Sequence, residues 1–303
     1  MIWVLFALTP SAIAQTTNAT VRTNVAQLIR SAEKGDTTSQ LKLGVMHTLG
    51  WGVPKDEVQG VTWFRKAADS GHADAQFNMG RAYLRGSGVT KDEAEAVKWF
   101  RKAADQGNAN AQANLGTLYD GGRGVIKDGA EALKWFRKAA DQGNATGQHN
   151  LGSMYAEGRG VPKDESEAVR WFRKAADQED ATGQTKLALM YAFGRGVPKD
   201  DVEAAKWHRK AAAQGHAAAQ LNLGVAYANG TGAPRNPVEA YKWFLLSAAK
   251  GNEAARENIA RLEKSLTPIQ RAAGQRLARE FVPKQINGER PAKQPAPTDG
   301  AAK

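Results

Sequence analysis

The sequence predicts an all-α protein, a solenoid built from one segment that is repeated six times. The first observation is a tryptophan that returns every 36 residues without insertion or deletion. A glutamine and a loop glycine keep the same step. A fixed period of this length is typical of repeat architectures, in which each repeat packs on its neighbours. The tryptophans are Trp63, Trp99, Trp135, Trp171, Trp207 and Trp243.

Each repeat is predicted to hold two helices, because both helices carry end signals. In the second repeat, Asp92 precedes the helix that contains Trp99, and Glu95 follows three residues later. This spacing predicts a capping box, in which each side chain bonds the other residue's backbone amide. Gly107 suits the left-handed end of that helix. Asn108 then suits the N-cap of the next helix.

Apolar residues at helical spacing predict where the core lies. In the second repeat, Met79, Gly80 and Tyr83 continue one stripe on the first helix. Trp99 belongs to the matching stripe on the second helix. Because Gly80 has no side chain, we expect a neighbouring helix to approach closely there, with Tyr83 and Trp99 filling the space around it.

The ends of the chain are predicted to differ from the repeats, which occupy residues 36–252. Residues 19–35 read as an N-terminal capping helix with a more polar face. Residues 253–282 read as C-terminal capping helices that cover the last repeat. Residues 283–303 are rich in proline, lysine, glutamine and glycine, and they are predicted to form a disordered tail.

Residues 1–14 predict export as a signal peptide. A short apolar run is followed at 12–14 by the small-residue exit "AIA", which suits a cleavage site. A basic n-region is missing, so either the natural start lies upstream of Met1 or the segment is an apolar stub. We expect the protein to be periplasmic or otherwise exported. The remaining sequence has no apolar run of about 20 residues, so no transmembrane span is predicted.

Three motifs recur in order: "A-x-A-Q-x-N-x-G-x-x-Y", the loop "G-x-G-V-P-K-D", and "E-A-x-x-W-F-R-K-A-A-D-Q-G". Together they resemble the Sel1-like repeat, a relative of the tetratricopeptide repeat, in six copies from about Thr37 to Gly251. The resemblance implies a right-handed superhelix of antiparallel helix pairs. It also implies a non-enzymatic, often exported bacterial scaffold that binds proteins. The expected role is a periplasmic regulator of an envelope signalling or assembly complex.

The first helices are expected to line the concave face of such a scaffold. Their positions turned away from the apolar stripe change from basic and aromatic, through acidic, to apolar along the chain. They are therefore the candidate groove for a protein or peptide partner, although an unselected surface would look the same. The candidate residues are Asp74, Phe77, Arg81, Leu84, Arg85, Asn110, Asp120, His149, Ser153, Glu157 and Phe193.

The net charge of +11 raises the question of nucleic acid. Residues 255–303 hold 10 basic against 5 acidic residues, so almost half of the excess lies beyond the repeats. Within the repeats, a basic pair recurs on each second helix, such as Arg65 and Lys66, with Asp69 placed to neutralise it. We predict a solvated face and no nucleic-acid partner. The alternative is a surface that binds glycan or an anionic envelope polymer.

The sequence offers little for catalysis, and no cofactor or metal is predicted. Cysteine is absent, which excludes thiol nucleophiles and zinc–thiolate sites. No histidines form an i, i+4 pair suited to a metal. Ser31 and Lys34 match S-x-x-K, but S-D-N and K-T-G do not follow. A hydrolase acting on cell-wall amides or β-lactams therefore remains only as the alternative to a non-enzymatic scaffold.

Overall fold

The computed structural model describes residues 25–284, and within them every regular element is a helix. The chain forms two compact units, the N-terminal unit Met1–Lys163 and the C-terminal unit Asp164–Lys303. The predicted signal peptide, the start of the N-terminal capping helix and residues 285–303 lie outside the described residues.

In the N-terminal unit, one helix of the capping segment is followed by three complete helix pairs and the first helix of a fourth. Each pair begins with the first helix of a repeat. The helices are α1 at 25–33, α2 Thr37–Leu49, α3 Glu57–Asp69, α4 Ala73–Arg85, α5 Glu93–Asp105, α6 Ala109–Gly121, α7 Gly129–Asp141 and α8 Ala145–Glu157.

The C-terminal unit begins with a second helix, continues with two complete pairs and ends with two helices beyond the repeats. These helices are α9 Glu165–Asp177, α10 Ala181–Phe193, α11 Asp201–Ala213, α12 Ala217–Asn229, α13 Pro237–Ala248, α14 Glu253–Glu263 and α15 Pro268–Arg279. No helix among the described residues has both the length and the apolar character that crossing a membrane requires.

The helix caps form largely as the sequence predicts, with one correction. The Asp92 carboxylate accepts the Glu95 backbone N–H at 2.9 Å and so caps α5. The reciprocal bond of a capping box is not made, since the Asp92 N–H donates to the Tyr83 carbonyl. The Glu95 carboxylate instead pairs with Lys98 at 2.9 Å. A backbone acceptor from the preceding helix therefore replaces the expected side-chain acceptor.

The close contact at Gly80 is made by a phenylalanine ring rather than by the tryptophan we expected, and Gly44, Gly116 and Gly224 have the same arrangement. A Cβ at Gly80 would lie 2.6 Å from the ring of Phe100, which is completely buried. Trp99 packs instead in the core of the preceding pair, with Phe64 and Met79. The tryptophan therefore ties one repeat to the previous one, while the phenylalanine closes the pair within its own repeat.

One repeat departs from this pairing. Ala188 and His208 occupy the positions that hold the glycine and the phenylalanine elsewhere, and both are buried. In the same unit, Gly224 and Phe244 keep the usual arrangement, with a Cβ at Gly224 placed 2.6 Å from the ring.

The chain beyond α15 folds back within the C-terminal unit. Phe281 meets Trp243 edge to face at 5.4 Å. The Lys284 N–H donates to the Ala213 carbonyl at 2.7 Å, and its ammonium pairs with Glu179 at 2.7 Å. Glu179 is the one non-glycine residue with positive φ, 63°, in the described chain. Lys284, the second residue of the predicted tail, thus has defined contacts.

Candidate functional site

Two open cavities lie at corresponding places in the two compact units. The first cavity, of about 120 Å³, opens between α2, α3 and α4. The second cavity, of about 310 Å³, opens between α10, α11 and α12. Each of the ten residues that line the first cavity has its counterpart 144 residues later in the lining of the second. That distance is four repeats of 36 residues, so the same feature of the fold forms both cavities.

The two cavities share a small residue at one position of the first helix. In the repeats between them the position holds a long side chain, Leu118, Met154 or Met190, and each is buried. Ala82 and Ala226 stand there in the two repeats with cavities. Because neighbouring helices relax only partly around a smaller side chain, truncation leaves space. We did not predict these cavities from the sequence. The signal for them was two alanines at a position where the other repeats have methionine or leucine.

The first cavity has an apolar floor and a basic edge. Its floor includes Val61, Phe64 and Ala82, all buried. Two of the predicted site residues, Arg81 and Arg85, line it from α4, and no acidic residue lines it. The arrangement suits an apolar group attached to a negatively charged one.

Phe77, a predicted site residue, packs against neighbouring side chains. Its ring is half-buried and lies 5.9 Å from the ring of Phe100. The Arg81 guanidinium lies 5.7 Å from the centre of the Phe77 ring. Phe77 therefore contacts both the core and Arg81, and its contact with a partner stays a prediction.

The second cavity has apolar and uncharged polar side chains, one ion pair and an imidazole in its lining. Phe193, a predicted site residue, lines it with 69% of its surface exposed. At its edge the charges of Lys199 and Asp201 pair at 3.3 Å. His208 is only 5% exposed, and its Nδ1 makes no hydrogen bond. Burial, followed by the nearby His216, lowers the pKa of His208 to about 4, so its imidazole is neutral at neutral pH.

The acidic candidates are joined by one arginine. Arg159 forms ion pairs with Asp120 and with Glu157, the latter at 2.8 Å. Burial opposes the charge of Arg159, but its hydrogen bond to Asp120 and the nearby carboxylates raise its pKa. These two predicted site residues therefore brace the loop after α8 rather than presenting free negative charge.

The polar candidates near the helix starts bond to residues of the following repeat. Asp74 accepts a hydrogen bond from the Asn108 amide at 2.8 Å, and Asn110 accepts one from Asn144 at 2.8 Å. Both asparagines are N-caps, so these bonds align successive first helices.

Three further candidates have mixed exposure. Ser153 is buried and donates to the His149 carbonyl at 3.1 Å, so our placement of its hydroxyl on an open surface is wrong. His149 and Leu84 are half-buried.

The basic pairs on the second helices have aromatic partners. The Lys66 ammonium lies 4.2 Å from the centre of the Trp63 ring, and Arg65 donates to the Tyr83 hydroxyl at 2.6 Å. The same contacts recur in the repeats at Lys102, Lys138, Lys174 and Lys210 and at Arg101, Arg137, Arg173 and Arg209. The expected neutralisation by aspartate is therefore wrong, because the arginines bond to tyrosines. These cations help to hold the helix pairs together.

The residues considered for catalysis or metal binding lie apart. Within residues 25–284, no three histidine or acidic side chains cluster in a way that could hold a metal ion. The Ser31 hydroxyl of the S-x-x-K match donates to Asp36 at 3.3 Å. Asp36 in turn caps α2.

Comparison with known proteins identifies the repeats. The Sel1 repeat matches residues 37–72, 73–108, 109–144, 145–180, 181–216 and 217–252. None of the curated proteins matches the chain.

Two solved structures resemble the fold closely. One is c5321 of uropathogenic Escherichia coli, a protective antigen displaying an SLR fold, with 38% identity and a TM-score of 0.71. The match covers 84% of this chain and 56% of c5321, so the chain spans just over half of that protein. The other is a Sel1 repeat protein from Oxalobacter formigenes, with 32% identity, a TM-score of 0.68, and coverage of 76% and 96% of the two chains.

These matches confirm the predicted all-α solenoid and its six repeats. Proteins built from such repeats generally act as non-enzymatic scaffolds for protein–protein interaction. With all six repeats matched and a relative of 32% identity aligned over 96% of its length, this chain belongs to the Sel1 repeat family.

Proposed function

We propose that this protein is a scaffold that binds a protein or peptide partner, with the two cavities as its anchor sites. The observation that carries the proposal is the pair of cavities at Ala82 and Ala226, in a column otherwise filled by long side chains. Interfaces depend on a few side chains that fill well-shaped pockets. Apolar cavities with a few polar groups are the usual form of such pockets.

We also propose that the protein acts after export, as a periplasmic regulator of an envelope signalling or assembly complex. The support is the apolar run and small-residue exit within residues 1–14. If so, the mature protein begins at Gln15 and is recovered from the periplasmic fraction. N-terminal sequencing of the fractionated protein tests this, and intact Met1 in the cytoplasm would contradict it.

Binding at the cavities is tested by filling both. The double variant Ala82→Met, Ala226→Met places in each cavity the side chain that other repeats carry there, so its fold should be retained. Peptides are selected from a random library on the wild-type protein, and their affinities are measured by isothermal titration calorimetry. We expect the double variant to bind them at least about tenfold more weakly, a change of about 1.4 kcal/mol.

A control variant checks that the effect belongs to the cavities. Ile126→Ala changes an apolar side chain that is 87% exposed and lines neither cavity. It should bind the selected peptides like the wild type. If the double variant also retains full affinity, the proposed anchor sites are wrong.

A further inference from the structure

Three departures from the repeat meet in the second cavity. His208 stands where every other repeat has phenylalanine, and Ala226 stands where the three preceding repeats have leucine or methionine. Ala205 stands where the first repeats have Val61, Val97 and then leucine. All three residues line the second cavity. Two of the changes enlarge the space, and the third brings a polar ring to its wall.

These changes are unfavourable for packing alone. A buried polar group without a hydrogen bond destabilises the fold, and the Nδ1 of His208 has no such bond. Removing side-chain volume next to the ring adds the cost of a cavity. The first cavity keeps Phe64 and Val61 at the corresponding positions. The histidine is therefore not needed to form a cavity at this place in the repeat.

The lining of the second cavity indicates an uncharged ligand. Leu189, Phe193 and Val225 supply apolar surface, and both Phe193 and Val225 are exposed. The uncharged polar side chains of Asn222, Asn229 and Thr231 also line it. The charges that line it, those of Lys199 and Asp201, neutralise each other. Charge complementarity thus favours an uncharged group, in contrast to the first cavity with its two arginines.

The imidazole in the wall of this cavity can form a hydrogen bond with a polar group on that ligand. A neutral imidazole donates at one nitrogen and accepts at the other. A phenol hydroxyl can also donate and accept, so it can pair with either tautomer. We propose that the second cavity binds a tyrosine side chain of the partner, with its ring among the apolar residues and its hydroxyl hydrogen-bonded to His208. This rests on the proposed function and names the group that anchors the partner there.

The test uses p-cresol, which is the tyrosine side chain as a free molecule, and toluene, which lacks the hydroxyl. Binding to the full chain is followed by NMR titration, with the ring nitrogens of His208 as the direct reporter. We expect p-cresol to bind about five- to tenfold more tightly than toluene, the effect of one hydrogen bond. p-Cresol should shift the His208 ring nitrogen resonances as a new hydrogen bond does, whereas toluene should cause only the smaller shift that a neighbouring aromatic ring produces.

Two variants distinguish the contribution of the His208 hydrogen bond to affinity from the contribution of the cavity volume. His208→Phe restores the residue of the other repeats, and with it p-cresol should lose its advantage over toluene. Ala226→Met should abolish binding of both molecules. Ile126→Ala should change neither affinity. Circular dichroism confirms that each variant is folded before its affinity is compared.

Each other outcome overturns the inference. Equal binding of p-cresol and toluene to the wild type would show an apolar cavity without recognition of a hydroxyl. Absence of p-cresol binding would show that the cavity does not take this group. Either result leaves the proposed function standing if the selected peptides still lose affinity in the cavity-filled variant. If those peptides are unaffected by filling, the proposed function fails as well.

Discussion

The two cavities occupy the same place in the repeat but present different chemistry. The first has phenylalanine in its floor and two arginines at its edge, Arg81 and Arg85. The second has His208 in place of that phenylalanine and Val225 in place of Arg81. The alanine on the first helix of a repeat therefore determines where a cavity opens. A few neighbouring residues determine which ligand that cavity binds.

The largest expected effect concerns the floor residue that distinguishes the cavities. His208 has a pKa of about 4 in the folded protein, because burial and His216 oppose its charge, against about 6.5 in the unfolded chain. Between these values the unfolded chain binds the extra proton, so stability is full above pH 6.5 and falls toward pH 4. From pH 7.5 to 4.5 the loss is about 2–3 kcal/mol.

His208→Phe removes this contribution, and urea unfolding of both proteins at the two pH values measures it. The other titratable groups are common to both proteins, so their contributions cancel in the difference. Parallel loss of stability in the wild type and the variant would show that His208 is not held neutral by the fold.

The next effect sharpens the difference in charge. Arg81→Ala together with Arg85→Ala should weaken binding of acidic peptides by about tenfold at low salt, because rim charges act mainly on association and are screened by salt. The measurement is the association rate by surface plasmon resonance at two salt concentrations. Binding of p-cresol to the second cavity should not change.

A matched control removes a cation elsewhere. Lys98 lies on a second helix, is 70% exposed, and pairs only with the nearby Glu95 in a surface ion pair. Lys98→Ala should leave the association of acidic peptides unchanged. If it slows association as much as the arginine changes do, general charge rather than the first cavity attracts the peptides.

A smaller effect tests the shared origin of the cavities. Ala82→Met and Ala226→Met should each raise the free energy of unfolding by about 0.5–2 kcal/mol, the usual gain from filling a cavity. Thermal denaturation measures this gain. Destabilisation by methionine at either position would show that the space is not equivalent to the one that Met154 and Met190 fill.

The smallest effect lies at a residue specific to the C-terminal unit. Glu179 is left-handed where other repeats have glycine, which costs about 1–2 kcal/mol, but its exposed ion pair with Lys284 returns part of that. Glu179→Gly should therefore stabilise the unit by about 1 kcal/mol or less. Hydrogen exchange at the start of α10 should slow slightly, and faster exchange would mean that the ion pair outweighs the backbone strain.

Much of the fold follows from the sequence because the repeat reports it six times. The 36-residue period predicted the helix pairs. The N-cap residues Asp92 and Asn108 predicted where the helices of a pair begin. The roles of Trp99 and Phe100 could not be separated, because adjacent residues at helical spacing can each face the core. Which of them packs on the preceding repeat depends on how successive pairs are stacked, and that is a tertiary property.

The candidate site was predicted less well, for a related reason. Arg81, Arg85 and Phe193 do line cavities, but they were chosen by their direction from the helix axis alone. Direction does not show that Asp120 has Arg159 as its partner, 39 residues away. Each cavity lies where a side chain is shorter than in other repeats. It could be predicted only by comparing Ala82 and Ala226 with the residues at the same position of the other repeats.

The most direct test of the account sorts peptides on the two single variants. Peptides selected on the wild type are titrated against Ala82→Met and Ala226→Met, with Ile126→Ala as control. We expect two groups of peptides. Acidic peptides should lose affinity only for the Ala82→Met variant, and tyrosine-containing peptides should lose affinity only for the Ala226→Met variant. Peptides that bind both variants as tightly as the wild type, whatever their composition, would contradict the claim that the two cavities are binding sites of different chemistry.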